Sequence, residues 1–260
     1  MKPLFSKFLG WDRTPVALGL VGLASLSWVY LLSMAWGMHH MEIGASMIIM
    51  PAMEHWTAWD LVLVFLMWVV MMVAMMVPAV SPVVLCFATV KRNRQARNPL
   101  VPTGIFLLGY LSVWIGFSLA ATFAQWVLLS LTLVSPMMDR ADNILGGCIL
   151  LAAGLFQFTR LKNACLSHCR SPIGFFMTEW RDGLLGAFQM GLKHGSYCLG
   201  CCWILMGLLF VFGVMNLFWV AALSAFVLLE KTALVRLRVS RLSGALFIAW
   251  GAWLVFGLRG

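Results

Sequence analysis

Seven apolar stretches, near residues 16–36, 60–85, 103–134, 143–159, 195–213, 214–229 and 242–258, constrain this chain more than any other feature. Several reach the ~20 residues a helix needs to cross a bilayer, and the last three are at or just under that length. Backbone in hydrocarbon must satisfy its own hydrogen bonds, which leaves helices or closed barrels. No segment has the ten-residue alternation of a barrel strand, so the helix is the spanning element. Only 10% of residues are charged and mean hydropathy is +0.94, against roughly 25% charged in soluble domains. The expectation is an all-α fold: one polytopic transmembrane helix bundle over residues 1–260, with six or seven spans and the lipid bilayer as its surroundings. The first apolar run is too long for a signal-peptide core and lacks a small-residue cleavage site, so no cleavable leader is expected.

The formal net charge of +9 does not call for a nucleic acid, because Lys and Arg collect in cytoplasmic loops. With seven spans and a cytoplasmic N-terminus, sixteen of the eighteen basic residues fall inside, and only Arg140 and Arg259 fall outside. This orientation divides the chain into a cytoplasmic tail at 1–14, an extracytoplasmic loop at 37–58 and a cytoplasmic segment at 160–194. If residues 183–192 crossed the membrane with 195–213, one helix would be roughly 45 Å long at 1.5 Å per residue, against a ~30 Å core. Residues 183–192 are therefore expected at the cytoplasmic interface, with the fifth span starting near Gly195.

Between Met34 and Met67 the chain has seven methionines and three histidines and no Lys or Arg. The outer loop holds Met38, His39, His40, Met41, Met47, Met50, Met53 and His55, and the second span continues with Met71, Met72, Met75 and Met76. Thioethers suit Cu(I) and bind Mg, Ca or Zn poorly, so the donor type narrows the ion. The competing reading is packing, since Met fills irregular gaps in apolar cores.

Thiols form the second cluster. The run His194-Gly-Ser-Tyr-Cys198-Leu-Gly-Cys201-Cys202 puts His194, Cys198 and Cys201 or Cys202 on one helical stripe, because positions three and four apart share a face. His194 and Cys202 are about 12 Å apart along that stripe, too far for one ion. The stripe thus offers one site at Cys198, Cys201 and Cys202, or two neighbouring ones. Cys165, His168 and Cys169 are expected on the same membrane face, where thiols stay reduced and available as soft ligands. Cys148 and Cys86 read as small buried hydrophobes. Glu230 and Lys231 close an apolar span and read equally as snorkelling or functional charges. Asn216 reads as a turn or cap. Gly104, Gly109, Gly116 and the glycines from 183 to 213 suggest close helix packing.

Together these segments resemble a bacterial family described as predicted metal-binding integral membrane proteins of unknown function. The resemblance rests on Trp68…Met71-Met72-Val-Ala-Met75-Met76-Val-Pro78…Pro82, on Lys162…Cys165-Leu…Cys169-Arg-Ser-Pro172 and on Gly191…His194-Gly-Ser-Tyr-Cys198-Leu-Gly-Cys201-Cys202-Trp203…Met206. It continues through Gly213-Val-Met215-Asn216-Leu and Glu230-Lys231. It implies metal binding through the Met and Cys motifs and a multi-pass location in the bacterial inner membrane. The Met/His loop lies outside these motifs, and its metal role rests on composition.

The leading expectation is soft-metal handling, with Cu(I) as the cargo and zinc as the other candidate, by transport or by delivery to a donor or acceptor protein. No nucleotide-binding Gly-Lys loop is present, so ATP-driven pumping by this chain alone is not expected. A transporter or metal-binding protein is favoured over an enzyme. The runner-up is a membrane thiol–disulfide oxidoreductase using Cys198 with Cys201, or Cys201 with Cys202, in exchange with Cys165 and Cys169. A compartment that keeps thiols reduced argues against it. A third reading is a structural or assembly subunit stabilised by its metal, and a homo-oligomer is compatible with all three.

Overall fold

The computed structural model describes residues 14–39, 57–94, 99–131, 143–214, 216–231 and 238–256. Every regular element among the described residues is a helix. In chain order they are α1 (Thr14–His39), α2 (Ala58–Asn93), α3 (Leu100–Ser130), α4 (Asn143–Gln157), α5 (Arg160–Arg170), α6 (Pro172–Glu179), α7 (Gly183–Gly207), α8 (Leu209–Phe212), α9 (Leu217–Lys231) and α10 (Arg238–Phe256). Five stretches are long and apolar enough to cross a membrane: Thr14–Gly37, Ala58–Asn93, Leu100–Ser130, Gly183–Phe212 and Val239–Phe256. A sixth is available if α4 and α5, bent by 66° at their junction, count as one. The region expected to supply a further span, 214–229, holds α9, whose 15 residues are short for a bilayer. The described helices thus support five or six spans, not seven.

Helix α2 forms the centre. Thr57 caps it reciprocally: its side chain accepts from Asp60 N at 3.3 Å, and Asp60 Oδ2 accepts from Thr57 N at 2.9 Å. That box satisfies two of the orphan donors at a helix start. Pro78 and Pro82 lie inside the helix, and proline removes the N–H that would reach the carbonyl four residues earlier. For Pro78 that carbonyl belongs to Ala74, and Trp28 Nε1 of α1 donates to it at 3.2 Å. A neighbouring helix thereby replaces the missing backbone bond, as an apolar setting requires.

Helices α3 and α7 approach closely through glycines. A Cβ at Gly109 would collide with the Phe188 carbonyl, one at Gly191 with the Phe106 carbonyl, and one at Gly195 would lie 3.0 Å from the Tyr110 carbonyl. Gly104 and Gly116, expected to serve the same purpose, face open space. A second close pair joins α4 and α10. A Cβ at Gly154 would be 2.8 Å from the Gly244 carbonyl, and one at Gly251 would be 2.8 Å from the Gly147 carbonyl. The seven-residue spacing within each helix keeps both contacts on one face.

Residues 183–192 are not a separate interfacial element. They are the first turns of α7, continuous with 195–207, because glycines let this part of the helix lie directly on α3. The 30 residues of Gly183–Phe212 exceed a ~30 Å core by roughly 15 Å. Charges collect around the first turns of α7: Lys193 pairs with Glu179 at 2.6 Å and Lys91 with Asp182 at 3.8 Å. Lys91 and Arg94 also lie over the Trp180 ring, 5.5 and 4.6 Å from its centroid.

Candidate metal centre

Two helices, α5 and α7, bring sulfur together beside α3. Cys198, Cys201 and Cys202 are buried on α7, and Cys169 of α5 is buried against them. Cys198 lies near enough to Cys169, Cys201 and Cys202 to interact electrostatically with them, and Cys169 near enough to Cys201. Cys165 is one turn before Cys169 and half-buried, and its sulfur lies where a side chain at residue 200 would stand, 2.8 Å from that Cβ position. Gly200 therefore makes the cradle into which α5 lowers Cys165.

The cluster is polarised around one sulfur. Cys198 Sγ shares a hydrogen bond of 3.0 Å with Tyr110 Oη of α3 and accepts from Lys231 Nζ of α9 at 2.9 Å. The thiols of Cys201 and Cys202 donate instead to the Cys198 carbonyl, at 3.0 and 2.9 Å. One turn earlier, His194 is 2% exposed and walled by aromatic rings, with Phe175 at 5.1 Å, Tyr110 at 6.1 Å and Phe106 at 6.4 Å between centroids. Its Nδ1 has no hydrogen-bond partner among the described residues. Buried polar atoms are nearly always paired, so an imidazole nitrogen left without one, a turn before Cys198, stands out, as do Trp114 Nε1 and Gln157 Nε2 elsewhere in the fold. His168 is not part of this group. It is exposed, stacks on Tyr197 at 4.3 Å, and has its own Nδ1 within 2.9 Å of the Ala164 carbonyl.

Lys231 is placed by a buried polar clamp at the end of α9. The Glu230 carboxylate accepts from Lys162 Nζ at 2.9 and 2.8 Å and from Ser240 Oγ at 2.7 Å. Lys162 also donates to Gln157 Oε1. Arg170 donates to the Glu230 carbonyl, with its Nε at 2.7 Å. Side chains of Lys162 and Glu230 are 1% and 3% exposed, and such charges persist only when paired and hydrogen-bonded. Sequence reasoning singled out Glu230 and Lys231 but not the partners that clamp Glu230, nor Tyr110. The available signal was the presence of polar residues inside apolar runs, which is costly without a purpose.

Met71, Met72, Met75 and Met76 are all buried on α2. Trp68 of α2 packs on Phe210 of α8 at 5.2 Å. Met76 is eight residues beyond Trp68 and Cys202 eight before Phe210, so each is about 12 Å from that shared contact. At its far end the methionine series opens on a small cavity whose lining includes Met34, Met67, Met71, Val214 and Leu217. His40 and the rest of the outer loop lie outside the described residues, as do the side chains of Met38 and His39 and the residue Met215. Cys148 and Cys86 are not buried as expected: the first is exposed and the second half-buried. Asn216 does act as a cap, its carbonyl accepting from Trp219 N at 3.0 Å and Val220 N at 3.1 Å.

Among the described residues no three His, Cys, Asp or Glu side chains form a ready-made coordination shell. The thiols are instead engaged with one another, with Tyr110 and with Lys231. As a donor set they are soft sulfur, which suits Cu(I), and ligation requires each thiol to give up its proton. Residues 65–254 match the family model PpoB2, described as a copper chaperone, and the chain belongs to that family. Membership supports a role in copper handling in general. Comparison with curated proteins and with solved structures gave no match.

Proposed function

We propose that the protein binds Cu(I) between Cys198, His194 one turn earlier and one further thiol of the cluster, Cys169 or Cys201, with Cys202 in a neighbouring position, and moves or delivers the ion across the bacterial inner membrane. The observation that carries this reading is the His194 Nδ1, buried without a partner among the described residues, one turn before the buried thiol of Cys198. Metal ligation would use the nitrogen that nothing among the described residues satisfies. The cavity at Met34, Met67 and Met71 supplies a thioether end, and Met72, Met75 and Met76 a weak series between the two. Weak sites in sequence let an ion both enter and leave.

Support for the membrane setting comes from the large apolar side chains that α1 and α3 expose, including Leu18, Leu26, Leu119 and Phe123. Contiguous exposed apolar surface is foreign to soluble monomers. Support for a cytoplasmic N-terminus comes from α1 packing antiparallel to α2: Trp28 meets Ala74 while Met34 and Met67 share the cavity. The start of α1 thus lies toward the basic end of α2, near Lys91 and Arg94. The test is elemental analysis and Cu(I) titration of purified, reduced protein. Joint replacement of Cys198, Cys201 and Cys202 by Ser is expected to abolish Cu(I) binding. Unchanged stoichiometry, or a Cys198–Cys201 disulfide that cycles with a quinone or thiol partner, would overturn the reading.

A further inference from the structure

We infer that Lys231 is a positioning residue that makes the thiol centre select a monovalent over a divalent soft ion; this rests on the copper-site reading above. The ammonium donates directly to Cys198 Sγ at 2.9 Å, and that sulfur is fully buried. Glu230, the neighbouring carboxylate, is already engaged by Lys162 and Ser240, so the Lys231 charge is directed at sulfur. The clamp on Glu230 and its carbonyl fixes the end of α9 from α4, α5 and α10, and Lys231 is held at the centre with it.

The consequence is a charge balance. Cys198 and one further thiol ligate as thiolates, each releasing its proton to solvent, and His194 donates as a neutral imidazole. Two thiolates and a monovalent ion leave one negative charge, which the ammonium cancels. The same pair with a divalent ion is already neutral, and the ammonium then leaves one uncompensated positive charge. Net charge in a buried site is strongly disfavoured. Lys231 therefore favours Cu(I) over Zn(II) without touching the ion.

The full-length chain, purified reduced in detergent, is titrated separately with Cu(I) and Zn(II) against competing chelators. Lys231→Gln is expected to lose about 10–100-fold in Cu(I) affinity, the range for partners of metal ligands, while Zn(II) affinity holds or rises. A uniform loss of both metals would mark a merely structural role, and no loss of either would mark none; both results overturn the inference. Lys231→Arg, which keeps the charge, is expected to retain the Cu(I) preference and serves if Lys231→Gln does not fold. A lost preference in the Arg variant also overturns the inference. Cys198→Ser separates the two levels: wild-type Cu(I) binding there defeats the copper-site reading itself, whereas its loss beside an unaffected Lys231→Gln defeats only the role of Lys231.

Discussion

The thiols and the thioethers are both buried, yet their surroundings differ. The Cys198 thiol meets polar or ligating partners: Tyr110, Lys231, two further thiols of α7 and one of α5. Around Met71, Met72, Met75 and Met76 the core is apolar, built from residues such as Val64, Val80 and Leu223. A thioether carries no charge to balance and no proton to lose, so it can be buried with no partner. A thiolate cannot. Donor chemistry thus decides how much protein must be built around each half: a clamp of five polar residues behind the thiols, and only close packing behind the methionines.

That contrast can be broken at its strongest point first. Glu230→Gln removes the carboxylate facing Lys162 and leaves a buried ammonium uncompensated, with an expected cost of about 3–5 kcal/mol measurable by chemical unfolding in detergent. A cost below 1 kcal/mol, on the scale of about 0–1 for exposed pairs, would show that the thiol side needs no such frame. Next, Cys198→Ser should weaken Cu(I) by more than about 100-fold, since changes one shell further out already cost 10–100-fold. His194→Phe comes third: Cu(I) affinity should fall about tenfold while unfolding stability is unchanged or slightly higher, because an unsatisfied buried nitrogen is removed. The smallest effect belongs to Met72→Leu with Met76→Leu. Near-equal volume keeps the stability cost under about 1.5 kcal/mol, and equilibrium Cu(I) affinity at the thiol centre should not change. A loss matching that of Cys198→Ser would place the methionines in the tight site and erase the distinction.

Much of this was legible in the sequence, and for identifiable reasons. Apolar runs and their lengths gave the long helices, because periodic burial is written locally. Spacing of three and four put Cys198, Cys201 and Cys202 on one stripe, and the placement of basic residues put Cys165 and Cys169 at the same end of the bundle. What spacing cannot encode is which helix lies opposite. Tyr110 is 88 residues from Cys198 and Lys231 is 33 away, so their roles depend on tertiary packing alone. His168 and His194 looked equivalent along the chain. Packing separates them, giving one an outer aromatic stack and the other a sealed aromatic wall. The expected separation of 183–192 from the span starting near Gly195 rested on a length limit alone, and α7 runs continuously through it because Gly191 and Gly195 let the helix lie directly on α3.

The hydrogen bond from Trp28 to the Ala74 carbonyl has a mechanical consequence. A proline inside a helix is a preformed hinge, and Pro78 lies just beyond Met75 and Met76. Trp28 works as a splint laid across that hinge from the neighbouring helix. Bending α2 there, to widen or narrow the methionine series, would first require α1 to let go. Helix α1, whose outward face is apolar and exposed, would then act as the latch that holds the ladder straight.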